Sequence, residues 1–305
     1  MRLIMRKIYS IVPVIAVALA ILFSCKPKPK EVTFIPEFST FKEDSVKSEI
    51  PSGKREIFYG ILTPVEVSTI FTRLGALYQP EILNDHDRGE TYNSSAKAAL
   101  NLGIYGVDLG YLKMFEMNGE MVQYMLVLRT LSNRLGIPAE YLMEPIEELE
   151  SNMSDSDSVL AFVNTSYERI EEHLKQDGRQ STAGLIVLGG WIEALYIATE
   201  LLLDDENPDP EIVERIAEQK YTLNTLLSFL KNYYDDPVVV YYTKKLKFLK
   251  KYFDKFDIYF RKGDLEIDRS KQVLKASGSE MTITLEILND VKDYVGKMRE
   301  ETVGL

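Results

Sequence analysis

The sequence predicts an all-α protein, a single multi-helix bundle of about eight helices. Two observations favour this fold class. From Thr63 onward, apolar residues recur every three or four positions, which is the spacing of one face of a helix. Capping residues also open several of these segments, and glycine or proline follows several of them, as expected at the starts and ends of helices.

The helices can be placed in order along the chain. The first follows Thr63-Pro64-Val65-Glu66, which supplies an N-cap residue, a proline at the first helical position and the glutamate of a capping box. A loop rich in Asn, Asp and Gly comes next, at 84–90. Gly136 and Gly178 are expected to end two later helices. The remaining helices are predicted at 94–115, 118–136, 154–175, 181–203, 210–232, 237–256 and 284–300.

One segment departs from the helical pattern. Residues 258–283 alternate between apolar and polar positions, which predicts a short β-hairpin near 272–283, with 272–276 and 280–283 paired around Gly278. The alternative fold is an α-solenoid of the tetratricopeptide kind, because 74–78 and 102–105 resemble its Leu-Gly-x-x-Tyr motif. These motifs do not recur with the fixed period of about 34 residues that such repeats have.

Residues 1–24 have the pattern of a lipoprotein signal peptide. Arg2, Arg6 and Lys7 precede an apolar run at 8–23, which is shorter than the roughly 20 residues of a membrane-spanning helix. Cys25, the only cysteine, follows Leu-Phe-Ser and resembles the modified cysteine of a bacterial lipobox. The resemblance implies cleavage before Cys25 and attachment of a diacylglycerol and a further acyl chain such as palmitate. The alternative is an uncleaved N-terminal anchor with a chance cysteine.

Beyond Cys25, the sequence predicts a tether over 25–55 and the helical domain over 56–305. The run Lys26-Pro27-Lys28-Pro29-Lys30 favours an extended chain. Residues 1–24 hold three of the 36 basic residues and no acidic residue, so the mature chain, with 47 acidic residues, has a net charge of −14. This balance argues against nucleic acid binding and against broad contact with anionic lipid. An acidic run after the lipidated cysteine sends some lipoproteins to the cell surface, and positive charges stand there instead, so the expected location is the outer membrane on its periplasmic side.

Two predicted helices have unusual compositions. From 183 to 199 the helix at 181–203 is apolar or small on every side, with the single charge of Glu193, so it should be the central helix of the bundle. A carboxylate there needs a cation, hydrogen-bond donors, water or a proton. Asp108 has a similar apolar setting in the helix at 94–115. That helix also has a face of small residues, which predicts a close helix crossing: Ala96, Ala99, Gly103, Gly106 and Gly110.

Segments 99–109 and 190–196 resemble those of a group of all-helical Gram-negative lipoproteins that has no established activity. Their sequences are Ala-Leu-Asn-Leu-Gly-Ile-Tyr-Gly-Val-Asp-Leu and Gly-Trp-Ile-Glu-Ala-Leu-Tyr. The likeness runs from about Thr63 to the C-terminal helix, and it implies a shared helical fold and a lipid anchor. It implies no reaction and no catalytic residues.

Four residues on these two helices are candidates for binding a ligand: Tyr105, Asp108, Trp191 and Glu193. Aromatic walls with a few polar groups suit a small organic or cationic ligand. One alternative is that Glu193 and Asp108 form buried structural pairs with an arginine such as Arg129 or Arg134. The other is that the two carboxyl groups are the acid and base of an enzyme.

No cofactor is expected, and a metal site has little support. His86 lies in the loop 84–90, where Asp85 and Asp87 match the start of a calcium loop but Glu90 occupies the position that requires glycine. A solvated loop is therefore expected. His173, the other histidine, is expected on the exposed side of an amphipathic helix, and no histidine or free thiol near it in sequence would complete a zinc site.

The segment 236–256 concentrates basic and aromatic residues on an otherwise acidic chain. It is either a solvated face over core aromatics or a docking face for an acidic partner or for lipid headgroups. Taken together, the sequence predicts a lipid-anchored cell-envelope protein whose helical domain binds a small ligand or a protein partner, without catalysis. The alternatives are an envelope enzyme that uses Glu193 and Asp108, and a structural subunit of an envelope assembly.

Overall fold

The computed structural model describes residues 77–138, 140–142, 156–202, 208, 210–260, 265–268, 273–276 and 279–304. These residues form a mostly helical structure and belong to one compact unit, which confirms the all-α prediction. The helix predicted after Thr63, the tether and Cys25 lie outside the described residues.

Seven α-helices lie within the described ranges, and their bounds agree closely with the predicted ones. They are α1 (Ser95–Met114), α2 (Asn118–Arg134), α3 (Ser156–Gln176), α4 (Gln180–Leu202), α5 (Pro210–Leu230), α6 (Pro237–Phe253) and α7 (Leu285–Val303). Three short 3-10 helices accompany them: Pro80–Ile82, His86–Thr91 and Lys231–Tyr233. The second of these occupies most of the segment that was expected to be an open loop.

The predicted start and stop signals act as expected at several helix ends. The Ser94 side chain accepts a hydrogen bond from the Lys97 backbone N–H at 3.2 Å and caps α1. Asp236 caps α6 in the same way, accepting from Val238 at 2.8 Å. Gly136 and Gly178, with φ of 64° and 70°, take the left-handed conformation that ends α2 and α3.

Helix α4 is the centre of the described bundle, as its apolar sequence predicts. It packs against α1, α3, α5, α6 and α7, and its contact with α1 is the most extensive between described elements. Because α4 contacts helices far from it in sequence, such as α1 and α7, the described fold is a bundle and not a solenoid, in which repeats contact only their neighbours. The helix Gln180–Glu200 is long and apolar enough to cross a membrane by length and composition, but 83% of its apolar window is buried inside the fold.

The crossing of α1 and α4 depends on glycine. A Cβ atom at Gly103 would lie 2.0 Å from the carbonyl oxygen of Ile186, and one at Gly189 would lie 1.9 Å from that of Leu100. No side chain fits in such a space, so the two backbones are in direct contact. The predicted close crossing is thus confirmed at Gly103. It does not extend to Gly106, where a Cβ atom would meet no other atom within 4 Å.

The predicted pairing around Gly278 is wrong, although the segment does contain strands. β3 (Val273–Ala276) pairs antiparallel with β2 (Leu265–Asp268), while β4 (Ser279–Met281) pairs with β1 (Ile258–Phe260). One pair is therefore nested within the other. Alternation of polar and apolar residues marks a strand, but the choice of partner depends on cross-strand contacts that the pattern does not contain.

The C-terminal end of α7 is held by side chains from the region of α1. Asn101 donates to the carbonyl oxygen of Thr302 at 3.2 Å, and Lys97 donates to that of Gly304 at 2.9 Å. The hydroxyl of Tyr92 donates to the carbonyl oxygen of Val303 at 3.3 Å. These bonds satisfy carbonyl groups that a helix end leaves without a partner, and they fix α7 against α1.

Candidate functional site

The α1–α4 crossing brings Asp108 and Glu193 together in the core. Asp108 lies five residues after Gly103 on α1, and Glu193 lies four residues after Gly189 on α4. Both side chains are fully buried. The structure therefore confirms that the two predicted carboxyl groups share an apolar setting, and it makes them neighbours.

The cation that neutralises Glu193 is Arg299 of α7. Its Nε and Nη2 atoms each donate to one oxygen of the Glu193 carboxylate at 3.0 Å. Arg299 also donates to the carbonyl oxygen of Ile82 at 3.2 Å, and its guanidinium lies 4.6 Å from the centre of the Tyr196 ring. A planar guanidinium is the side chain best suited to such a paired contact. Burial acts to lower the pKa of Arg299, but the charge and hydrogen bonds of Glu193 outweigh it and raise that pKa.

The two arginines suggested by the sequence are not the partners of the buried carboxyl groups. Arg134 donates to Glu90 at 3.1 Å and to the carbonyl oxygen of Tyr92 at 2.8 Å. Arg129 is exposed on α2. The idea of a structural ion pair is thus correct for Glu193, and the identity of its arginine is corrected to Arg299.

Asp108 is the second carboxyl group beside a single guanidinium. Its Oδ2 atom accepts from the backbone N–H of Asn84 at 3.2 Å, while its buried Oδ1 atom has no donor among the described residues. Burial, and then the charge of Glu193, raise the pKa of Asp108 well above its ordinary value, against the lowering effects of Arg299 and Asn84. A protonated Asp108 would donate to Glu193, and this proton would supply the missing hydrogen bond.

Tyr105 lies near Asp108 but has a structural partner of its own. Its ring packs edge-on against Tyr92 and Tyr124, with centroids 6.3 Å and 5.7 Å away. Its hydroxyl donates to the backbone carbonyl oxygen of Asp85 at 2.6 Å. Burial raises the pKa of Tyr105, so the phenol stays protonated and keeps this bond. Tyr105 thereby fixes the segment before the His86–Thr91 helix onto α1.

Trp191 does not join the other three candidates. Its indole N–H donates to the side-chain oxygen of Gln219 on α5 at 3.2 Å, and the ring is 1% exposed. Residues that are two positions apart in a helix lie about 200° apart around its axis, so Trp191 and Glu193 lie on opposite sides of α4. Three of the four predicted residues are therefore close together, and the fourth belongs to the α4–α5 interface.

The two histidines have local contacts. His86 lies beside Asp87, with Nδ1 3.1 Å from its carboxylate, and Asp85 caps the backbone N–H of Asp87 at 2.9 Å. These three side chains could bring ligand atoms within 4.8 Å of one another, but they are exposed and nothing else at the cluster indicates an ion. Nε2 of His173 lies 2.7 Å from the carbonyl oxygen of Gly136, so this histidine links α3 to the end of α2 and is not simply solvated.

The lysines of the segment 236–256, which contains α6, fall into two sets. Three form ion pairs: Lys245 with Glu301 at 2.7 Å, Lys250 with Asp254 at 2.5 Å and Lys255 with Asp290 at 2.7 Å. The other three, Lys244, Lys247 and Lys251, are exposed and have no carboxylate partner among the described residues. With two aromatic residues, Tyr241 (46% exposed) and Phe248 (44% exposed), they share one side of the helix. These five residues are called the basic–aromatic face.

We expect Asp108→Asn to keep or raise the unfolding midpoint at neutral pH. The amide N–H of asparagine can donate a hydrogen bond to Glu193 at any pH, whereas Asp108 must first take up a proton. In the wild type, the pKa of Asp108 is higher in the folded state than in the unfolded state, where it is about 4. Stability should therefore fall as pH rises from about 4 towards the folded-state value. The variant should lose this part of the pH dependence in thermal unfolding of the full chain. Asp293→Asn, which removes an exposed carboxylate on α7, is the control, and a lower midpoint for Asp108→Asn with an unchanged pH profile would contradict the shared proton.

Comparisons with protein-family models, with curated proteins and with solved structures found no match to this chain. The likeness of segments 99–109 and 190–196 to helical lipoproteins therefore stays an expectation from the sequence.

Proposed function

We propose that the protein is a lipid-anchored cell-envelope protein whose helical domain is a binding module that acts through its surface. In this proposal the signal peptide 1–24 is removed, Cys25 carries the lipid and the tether up to residue 55 holds the domain near the membrane. The proposed location is the outer membrane, and the absence of an acidic run directly after Cys25 favours its periplasmic side.

One observation carries the choice of binding over chemistry: both oxygens of Glu193 are engaged by Arg299 in the buried core. A general acid or base must come within hydrogen-bonding reach of its substrate. Glu193 and Asp108 are both fully buried, and only 12% of the Arg299 side chain is exposed to solvent. This counts against an envelope enzyme that uses the two carboxyl groups, and also against a ligand pocket around them. The basic–aromatic face, in contrast, is open to solvent.

The lipid anchor can be tested on the full-length chain in a Gram-negative host. The wild type should incorporate labelled palmitate and should leave the membrane fraction only with detergent, because two or three acyl chains give firm anchoring. Cys25→Ala should incorporate no palmitate. Ser39→Ala, a change within the tether, is the matched control and should behave like the wild type. Wild-type protein in the aqueous fraction, or palmitate on Cys25→Ala, would refute the anchor.

A further inference from the structure

We propose that the basic–aromatic face of α6 docks onto the anionic phospholipid headgroups of the membrane that holds the lipid anchor. This inference rests on the proposed function, because the anchor is what keeps the domain within reach of the membrane.

The basic–aromatic face carries three lysines that have no carboxylate partner among the described residues. Lys244, Lys247 and Lys251 follow one another at intervals of three and four residues, so they point to the same side of α6. The neighbouring lysines are already neutralised by Glu301, Asp254 and Asp290. The unpaired charge is therefore concentrated on the outward side, where its natural complement is a surface of anionic groups. This contact is narrow, and it is compatible with a net negative charge for the whole chain.

Exposed aromatic rings lie among these lysines: Tyr241 and Phe248 of the face itself, and Tyr234 just before α6. Phe248 is held from below by Tyr294 of α7, with ring centroids 5.0 Å apart, yet 44% of it remains exposed. Lys251 lies 5.0 Å from the centre of the Phe248 ring, and Lys247 lies 5.7 Å from that of Tyr234. Side chains with an apolar body and a polar or charged tip suit the boundary between headgroups and acyl chains.

The proposed tether makes a weak attraction between the face and the membrane sufficient. Three lysines provide only weak attraction to an anionic surface, which falls off within a Debye length of about 10 Å at ordinary salt concentrations. A domain tethered by some 30 residues meets its own membrane at a high effective concentration, so weak attraction is sufficient. This is why a membrane surface fits the face better than an acidic protein, for which the structure offers no comparable argument.

The test uses the full-length lipidated protein in vesicles of phosphatidylcholine alone, or with roughly one third phosphatidylglycerol. A water-soluble acylating reagent and mass spectrometry then give the labelling rate of each lysine. With anionic vesicles, the rates at Lys244, Lys247 and Lys251 should fall about threefold or more relative to Lys175 on α3, and high salt should restore them. Equal relative labelling rates in both kinds of vesicle would overturn the proposal. Protection of the lysines by an added acidic protein, but not by anionic vesicles, would also overturn it.

Variants that keep Lys251, whose labelling rate is measured, give a second test. In Lys244→Gln/Lys247→Gln, the protection of Lys251 by anionic vesicles should be largely lost, because most of the free charge has gone. The matched control, Lys113→Gln/Arg129→Gln, removes the same charge from α1 and α2 and should leave the protection unchanged. Equal protection of Lys251 in the two variants would contradict docking through this face.

The same vesicles separate this proposal from the proposed anchor. Flotation of the protein with both kinds of vesicle, but without lysine protection, would support the anchor and refute the docking face. Flotation with anionic vesicles only, with protection, would refute the anchor and support the face. Flotation with neither would refute both.

Discussion

Replacing Gly189 with alanine is expected to destabilise the protein by about 3 kcal/mol, at the upper end of what overpacking costs. The added Cβ atom would lie 1.9 Å from the carbonyl oxygen of Leu100 and 2.7 Å from its carbonyl carbon. These are backbone atoms of α1, which cannot rotate away as a side chain can, so the two helices must separate. Separation would open the core along the most extensive helix contact described. Chemical denaturation of the full chain would measure the loss.

Gly106→Ala is the matched control for this prediction. Gly106 lies on α1, three residues after Gly103, but a Cβ atom there would meet no atom within 4 Å. Alanine is favoured over glycine inside a helix by about 1 kcal/mol, so this variant should be as stable as the wild type or slightly more stable. If Gly189→Ala and Gly106→Ala had equal effects, the close crossing would not be a source of stability.

Replacing Arg299 with methionine is expected to cost about 3–5 kcal/mol, the range found when one partner of a buried ion pair is removed. Glu193 would keep its burial but lose both charge-assisted hydrogen bonds, and the carbonyl oxygen of Ile82 would lose its donor. The methionine side chain restores part of the packing against Tyr196, so the decrease in the free energy of unfolding comes mainly from the lost ion pair. Denaturant unfolding of the full chain at neutral pH is the measurement.

Two further variants separate the specific role of Arg299 from a general effect of charge. Arg299→Lys keeps the charge but cannot form the paired contact of a guanidinium, so it should fall between wild type and Arg299→Met. Arg129→Met removes an exposed cation from α2 and should change stability by about 0.5 kcal/mol or less. Equal losses for Arg129→Met and Arg299→Met would contradict the assigned ion pair.

Helix positions could be predicted well from the sequence because their signals are local. Ser94, Asp236 and Gly136 each act on backbone groups within a few residues, so the same short pattern carries both the signal and the effect. The burial of Glu193 could be predicted for a similar reason, since the composition of one helix shows that it has no solvent-facing side.

The partner of Glu193 could not be predicted in the same way. Arg299 is 106 residues away, and helical periodicity shows which side of α7 is buried but not which helix covers it. A signal was nevertheless present, because Arg299 lies four residues after Val295 and next to Met298, both in the buried stripe of α7. An arginine at the edge of an apolar stripe is the natural candidate for a buried carboxylate elsewhere in the chain.

The four-residue pocket illustrates a limit of a different kind. Tyr105 and Asp108 are three residues apart and can share a helix face, whereas Trp191 and Glu193 are two apart and cannot. Helix geometry alone therefore separates Trp191 from the carboxyl groups. The hydrogen bond of Trp191 to Gln219 agrees with that separation.

Glu193 and Arg299 form a structural unit in the core, and a double-mutant cycle measures the coupling between them. The free energy of unfolding would be measured for the wild type, Glu193→Leu, Arg299→Met and the double variant. Arg299→Met leaves Glu193 without its cation, and Glu193→Leu leaves Arg299 without its paired hydrogen bonds and with only Asp108 as a neighbouring carboxyl group. Apolar replacement of the whole pair removes both charges, so the double variant should lose less than the two singles together, with a coupling of about 2 kcal/mol. Additive losses, or an unchanged stability of Glu193→Leu, would mean that the carboxylate is kept in the core for a purpose other than stability and would contradict this structural role.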